Sequence, residues 1–270
     1  MHPSQEQWQA FYRNLKASTG LDLNAYKQDQ LQRRILSMAD TKNCAALDAF
    51  WAFLKSQPDN MKWFLDKLAI NVSELFRNPE KWVELEKRVL PELLKHTNKL
   101  KIWSAGCSFG AESHSLAIIL DRSFPGAHTI VGTDIDHAAL AQAREGRFIE
   151  PDMKNVPSEV RKAYFTFDGV YWRANPKLKK YMTFKTGNLL SDSFDSGFDL
   201  IVCRNVVIYF TEQAKNILYE KFFRALKPGG YLFVGSTERI VNSREIGFES
   251  PLSFYYKKPM QGAQIWRNAS

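Results

Sequence analysis

The run Ser104-Ala105-Gly106-Cys107-Ser108-Phe109-Gly110-Ala111-Glu112 joins two glycines to an acid where a helical pattern begins. Glycines so placed let the chain turn tightly and let a ligand approach the main chain closely. A helix that starts there also offers unpaired N–H groups. No Gly-Lys-Ser/Thr follows, which excludes a P-loop, and the G-x-G-x-x-G spacing of a dinucleotide site is absent. Glu112 stands where a phosphate cradle would avoid negative charge, so an acid at this point suits a cationic ligand. The next apolar run ends in Thr133-Asp134-Ile135-Asp136. An acid at the C-terminal end of a second strand can accept hydrogen bonds from ribose hydroxyls. Asp134 is the ribose candidate, whereas Asp136, standing before HAALAQAREG, reads as a helix cap. A ribose, a positive charge and no pyrophosphate together point to S-adenosylmethionine. The histidines and the cysteines Cys44, Cys107 and Cys203 lack metal-ligand spacing, so no metal is expected, and Cys107 and Cys203 read as packing residues.

These residues need a scaffold, and the 270-residue chain supplies two textures. The first part is rich in helical periodicity: Leu31, Ile35 and Met38 recur on one face, and LDAFWAFLKSQ and MKWFLDKLAI follow, joined by the turn residues Pro58, Asp59 and Asn60. The aromatics Phe50, Trp51, Phe53, Trp63 and Phe64 read as the core of that bundle. After a further helix, KWVELEKRVLPELLKH, short apolar runs alternate with helices: KIWSAG, ESHSLAIILDRSF, TIVGTDID, HAALAQAREG, FDLIVCRN, TEQAKNILYEKFFRALKPGG and YLFVGS. That alternation implies βαβ units on a parallel sheet. YFTFDGVYWRANPKLKKYMTFK breaks it and reads as a small antiparallel insertion, and SFYYKK as a late strand. The expected fold is α/β, a Rossmann-like parallel-sheet domain with a β-insertion, preceded by an all-α domain. Its divisions are 1–75, 76–258 with the insertion at about 163–187, and a loose tail at 259–270. No apolar run reaches the roughly 18 residues of a membrane helix, so no membrane insertion is expected. No secretory signal opens the chain, so a cytoplasmic protein is expected. Lys and Arg number 37 against 29 Asp and Glu, a net +8 that favours anionic partners without choosing among them. No RNA-binding signature accompanies that charge, and no nucleic-acid partner is expected.

Six segments together resemble the CheR family of chemoreceptor glutamate methyltransferases: NVSELFR (71–77), IWSAGCSFGAE (102–112), GTDID (132–136), GNLL (187–190), FDLIVCRNVVIYF (198–210) and LKPGGYLFVGSTE (226–238). The resemblance implies that the α/β part is a class I methyltransferase domain, and it implies methyl transfer from S-adenosylmethionine, leaving S-adenosylhomocysteine, to glutamate side chains of methyl-accepting chemotaxis receptors in adaptation. It implies that Glu112 holds the methionine amino group, Asp134 the ribose, Asn188 and Leu189 the adenine, and that Gly106 and the backbone around Arg204 and Asn205 close the site. Asn71, Ser73 and Arg77 match the linker that covers the cofactor, and Arg77 and Tyr209 match the residues that handle substrate. Lys27, Arg33 and Arg34 would form a docking face for acidic receptor helices. A monomer working at receptor arrays on the inner membrane face is expected.

The chain departs from the family where GEEPYS is usual and Gly110-Ala111-Glu112-Ser113-His114-Ser115 stands instead. His114 in place of Tyr is expected to alter one hydrogen-bonding wall of the pocket. Arg204, inside an apolar run, requires a partner, because a buried unpaired charge is costly. Two other readings follow from these features: a non-catalytic regulator that binds cofactor and receptor, and a methyltransferase with another substrate.

Overall fold

A computed structural model of the chain describes residues 2–68 and 73–260. Its contacts divide into two compact units. One gathers the N-terminal helices with Asn188–Asp192 and Tyr209–Ile217, and the other gathers the rest. The division is therefore not a single cut in the sequence.

The first unit begins with α1 (Gln5–Thr19). Ser4 caps it by accepting from the Gln7 N–H, while the Gln7 side chain accepts from the Ser4 N–H, and Gly20 closes its C-terminus at φ 75°. Helices α2 (Gln28–Thr41), α3 (Leu47–Ser56) and α4 (Pro58–Leu68) follow. Pro58, Asp59 and Asn60, expected as a turn, form the first turn of α4, because the fixed φ of proline suits a helix start. Phe50 and Phe64 are fully buried, and Phe11 stacks on Phe50 at 6.1 Å and meets Phe64 edge-on at 6.2 Å. Trp51, Phe53 and Trp63 are half-buried against this cluster. The segment beginning at Tyr209 is tied to the α1–α2 connection: Lys27 N–H donates to the Tyr209 carbonyl at 2.9 Å and Thr211 N–H to that of Ala25 at 2.9 Å.

The second unit opens with α5 (Pro79–Glu84), a π-helical turn (Leu85–Val89) and α6 (Leu90–Leu94). Then come β1 (Lys101–Ala105), α7 (Ala111–Ser123), β2 (Thr129–Asp134), α8 (His137–Glu145), β3 (Arg147–Phe148), α9 (Ser158–Tyr164), β4 (Phe165–Phe167), β5 (Trp172–Ala174), β6 (Met182–Thr186) and β7 (Phe198–Cys203). Helix α10 (Glu212–Ala225), β8 (Leu226–Val234), α11 (Ser243–Ile246), β9 (Glu249–Leu252) and β10 (Tyr255–Lys257) complete the order. The main sheet runs β6-β2-β1-β7-β8-β10-β9, with the first five parallel and β10 antiparallel to both of its neighbours, β8 and β9. Every residue of β7 is buried, as a central strand covered on both faces requires.

Two expectations are corrected here. LKPGG does not end a helix: α10 stops at Ala225 and these residues open β8, where the pairing with β7 shifts between Phe198 and Leu200. Proline cannot donate to a ladder, and the irregularity accommodates it. The antiparallel sheet, β3-β5-β4, draws Arg147–Phe148 from before the expected insertion. Met182–Thr186, expected inside it, instead pairs in parallel with β2 at the edge of the main sheet.

Candidate functional site

Strand order reverses between β1 and β7, which leaves a crevice at the carboxyl ends of the strands where α/β folds bind ligands. The glycine loop occupies that crevice. Gly106 sits at φ 75°, and a Cβ there would lie 2.5 Å from a Val206 methyl group, so both the turn and the approach of the 204–208 chain require glycine. The Gly106 and Cys107 N–H groups donate to the Thr133 carbonyl at 2.8 and 2.9 Å, fastening the loop to the end of β2. Asp134 is half-buried beside it. One carboxylate oxygen accepts from the Ser108 N–H at 2.7 Å and the other from the Asp136 N–H at 3.0 Å. The Ile135 N–H also reaches the carboxylate, which keeps acceptor capacity for a ligand hydroxyl. Burial pushes the Asp134 carboxyl above its usual range, against the pull of these N–H groups. Asp136 does serve as the cap of α8, accepting from the Ala139 N–H at 2.9 Å.

Glu112 lies in the first turn of α7, and the hydroxyl of Ser104, from β1, donates to its carboxylate at 2.7 Å. Burial pushes its pKa up to about 7; the Arg204 charge and Ser104 pull it down, and the Glu238 charge pushes it up. Arg204 is 8% exposed and has the partner its burial demands. Its Nη2 donates to the Arg77 carbonyl at 2.8 Å and to Asn78 Oδ1 at 2.9 Å, and the guanidinium lies over the Phe233 ring at 4.7 Å. Among the described residues its buried Nε has no hydrogen-bond partner, a donor that a carboxylate-bearing ligand would satisfy. Asn205 follows at φ 59°, in the left-handed region that asparagine tolerates.

The structure thus brings Gly106, Glu112, Asp134, Arg204, Asn205 and the main chain of Arg77 together within the second unit. Leu75 N–H donates to the Asp152 carbonyl at 3.0 Å and Phe76 N–H to Ser115 Oγ at 2.9 Å, which pins the chain ahead of Arg77 against α7. Ser73 is half-buried. Asn71 lies outside the described residues. Asn188, Leu189 and Tyr209 group with the first unit. There Asn188 Oδ1 accepts from the Leu190 N–H at 3.0 Å, Leu189 is buried, and Tyr209 ends a 3-10 turn from Val207. Of the docking candidates, Lys27 and Arg33 are exposed, whereas Arg34 is half-buried and donates through Nε to the Lys67 carbonyl at 2.9 Å, bracing the end of α4.

His114 is corrected: it is no pocket wall. The ring is 2% exposed, packs edge-on to Phe148 at 5.1 Å, and donates from Nδ1 to the Gly110 carbonyl at 2.8 Å. Burial drops its pKa to about 4, so it stays neutral. Cys107 and Cys203 are buried, and burial pushes both thiols well up, which makes neither a nucleophile. Sequence reasoning missed Ser104 and Glu238. A serine inside the apolar β1 run and an acid closing Gly-Ser-Thr-Glu after β8 were the available signals.

The donor set, two acids with spare acceptor capacity beside a buried guanidinium, fits a ligand that carries an ammonium, a carboxylate and ribose hydroxyls. Residues 6–69 match the family model described as CheR methyltransferase, all-alpha domain, and residues 71–251 that of the CheR methyltransferase, SAM binding domain. A chemotaxis protein methyltransferase of Listeria monocytogenes serovar 1/2a is 40% identical over 250 residues, which cover 92% of this chain and 95% of the relative. The protein of that name from Listeria innocua serovar 6a is 40% identical over the same share. Chemotaxis protein methyltransferase 1 of Pseudomonas aeruginosa is 30% identical over 241 residues, 84% of this chain and 88% of the relative.

Proposed function

The chain belongs to the CheR methyltransferase family, whose S-adenosylmethionine-binding domain it carries, and from that membership we propose that it methylates glutamate side chains on the cytoplasmic helices of chemoreceptors. What carries the reading is that the match runs through both the helical portion and the sheet portion, over residues 6–69 and 71–251. The reading makes it a cytoplasmic enzyme of receptor arrays at the inner membrane face. Among the described residues no helix is long and apolar enough to cross a membrane. Exposed Lys27 and Arg33 would meet the acidic receptor surface. The altered segment after Gly110 does not favour a silent regulator, since His114 is absorbed into the core and Glu112 is retained.

S-adenosylmethionine, when bound, supplies an electrophilic methyl group on a sulfonium. A glutamate carboxylate, with a reference pKa of about 4.3, is already ionised at neutral pH, so the protein has no proton to remove. The work of the chain is orientation. Asp134 would hold the ribose through the lone pairs its backbone contacts leave unused, Glu112 the ammonium, and Asn188 and Leu189 the adenine. Arg77 would hold the substrate oxygen that does not attack, in the fixed geometry of a guanidinium. Its main chain is clamped for that task, because its carbonyl accepts from both Arg204 Nη2 and Trp82 Nε1. Tyr209, by the resemblance, assists in handling the substrate.

The direct test is methyl transfer from labelled S-adenosylmethionine to chemoreceptor-containing membranes. Alkali-labile label, released as methanol, is expected; its absence with receptors of the same organism, while the cofactor binds, would reject the assignment. For Arg77→Ala we expect turnover to fall about 100-fold with affinity for S-adenosylhomocysteine nearly unchanged. Full turnover would remove Arg77 from the chemistry.

Glu112 gives a pH signature. Its raised pKa, about 7, means that acid protonates it in the free protein and removes the charge that attracts an ammonium. The groups facing it are Arg204, Glu238, Ser104 and the thiols of Cys107 and Cys203. Affinity for S-adenosylhomocysteine, measured by calorimetry, should therefore weaken about tenfold from about pH 8 to about pH 6. Glu112→Gln should bind weakly with a flat profile. A wild-type profile without this slope would contradict the assignment.

A further inference from the structure

One buried acid has no part in the reading above. Glu238 closes the run Gly235-Ser236-Thr237-Glu238 that follows β8 and is 4% exposed. Its Oε2 accepts from the Asn205 N–H at 2.6 Å and from the Gly235 N–H at 2.8 Å. The main chain at Val207 and Ile208 further favours its ionised form, against the upward push of burial. Gly235 makes the contact possible. A Cβ there would collide with Glu238 Oε2 and stand 3.0 Å from the Asn205 nitrogen. Its φ is not among the left-handed ones, so glycine is required for space rather than for conformation. On the other side of the contact, Asn205 holds the left-handed conformation that reverses the chain after β7. The carboxylate therefore ties two strand ends together at the turn that carries Arg204 and runs directly into Tyr209.

We propose that Glu238 is a positioning residue for methyl transfer: reaching through the gap at Gly235, its carboxylate fixes the Arg204–Ile208 turn. A carboxylate is suited to this because it accepts several N–H groups at once from different directions, and charge-assisted bonds to it are stronger than neutral ones. Both N–H groups go to one oxygen, so the amide of a glutamine can still accept from them, but it lacks the negative charge that strengthens those bonds. The catalytic consequence rests on the methyl-transfer reading, whereas the fixing of the turn does not.

The test compares wild type, Glu238→Gln and Gly235→Ala by three measurements on the full chain. Amide hydrogen exchange over residues 204–208 should quicken at least about tenfold in both variants, as an unpinned turn opens more often, with exchange in β1 and β2 unchanged. Methyl transfer should fall about 100-fold, the scale of a small misplacement at the reacting centre. Affinity for S-adenosylhomocysteine above about pH 8 should stay within about threefold of wild type. Its pH midpoint in Glu238→Gln should move to lower pH, because a negative neighbour of Glu112 has been removed. That midpoint reads the charge of Glu238; a merely structural role would lower affinity together with turnover, whereas a positioning role splits the two. If Glu238→Gln fails to fold, Gly235→Ala decides alone, since it displaces the carboxylate and keeps its charge. Wild-type exchange and turnover in the folded variants would overturn the proposal. A wild-type protein that transfers no methyl group would overturn the methyl-transfer reading only, and the exchange measurement would still decide whether Glu238 fixes the turn.

Discussion

Asp134→Ala is expected to weaken binding of S-adenosylhomocysteine about 100-fold, the largest loss of any single change in the crevice. Two charge-assisted bonds to ribose hydroxyls, at about 1.5 kcal/mol each, amount to about 3 kcal/mol, which is roughly two decades of affinity. The same change also strips the Ser108 and Asp136 N–H groups of this acceptor, so the glycine loop loses one of its ties to the end of β2 and keeps those to the Thr133 carbonyl. Asp134→Asn separates the two effects. It keeps one acceptor oxygen and the shape of the side chain, and should cost about tenfold. Calorimetry reads both, and equal affinity in wild type and Asp134→Ala would remove Asp134 from the ribose.

Arg204→Met should be the most destabilising change at the site. The guanidinium is 8% exposed, and the charges of two acids, Glu112 and Glu238, both act on it. Methionine fills much of the volume but removes the charge that acts on both acids, leaves Asn78 Oδ1 without its donor and leaves the Arg77 carbonyl with Trp82 Nε1 alone. Breaking a buried charge cluster in this way costs about 3 kcal/mol, or roughly 6–12 °C in Tm for a protein of this size. The sign with pH is fixed by linkage. Without the cation, the folded-state pKa of Glu112 rises above the value of about 7 that it has in its presence. An acid whose folded pKa is raised binds protons more tightly folded than unfolded, so stability falls as pH rises toward that pKa. The gap in Tm between Arg204→Met and wild type should therefore widen from about pH 6 to about pH 8.5. A gap that is constant or narrows would mean that Arg204 acts through packing on Phe233 alone.

Much of the fold was legible in the one-dimensional pattern. Alternating apolar runs and helices after Lys99 gave the parallel sheet, and the helical periodicity of Leu31, Ile35 and Met38 gave α2. Capping was local enough to read, as Asp136 shows. The small sheet was placed wrongly at both ends for a physical reason. Met182–Thr186 carries the same strand-forming residues as Phe165–Phe167, and only the pairing partner, β2 or β5, tells them apart. The LKPGG run misled because proline and glycine signal a stop in the sequence, whereas a shifted ladder tolerates them in a strand.

At the site, the sequence by itself determined the chemical types: a glycine loop, an acid after it, an acid at the end of the second strand, and an arginine in an apolar run. Those follow from residue identity and from order along one βαβ unit, both of which are local. Only the tertiary structure decided which of these groups act on one another. That His114 faces the core rather than the crevice, and that Arg34 braces α4, depends on which side of a helix meets which neighbour. That Glu112, Arg204 and Glu238 share one field joins residues from three separate stretches of the chain. Burial and charge proximity, which set the pKa of Glu112, are properties of three-dimensional distance, and no spacing along the chain encodes them.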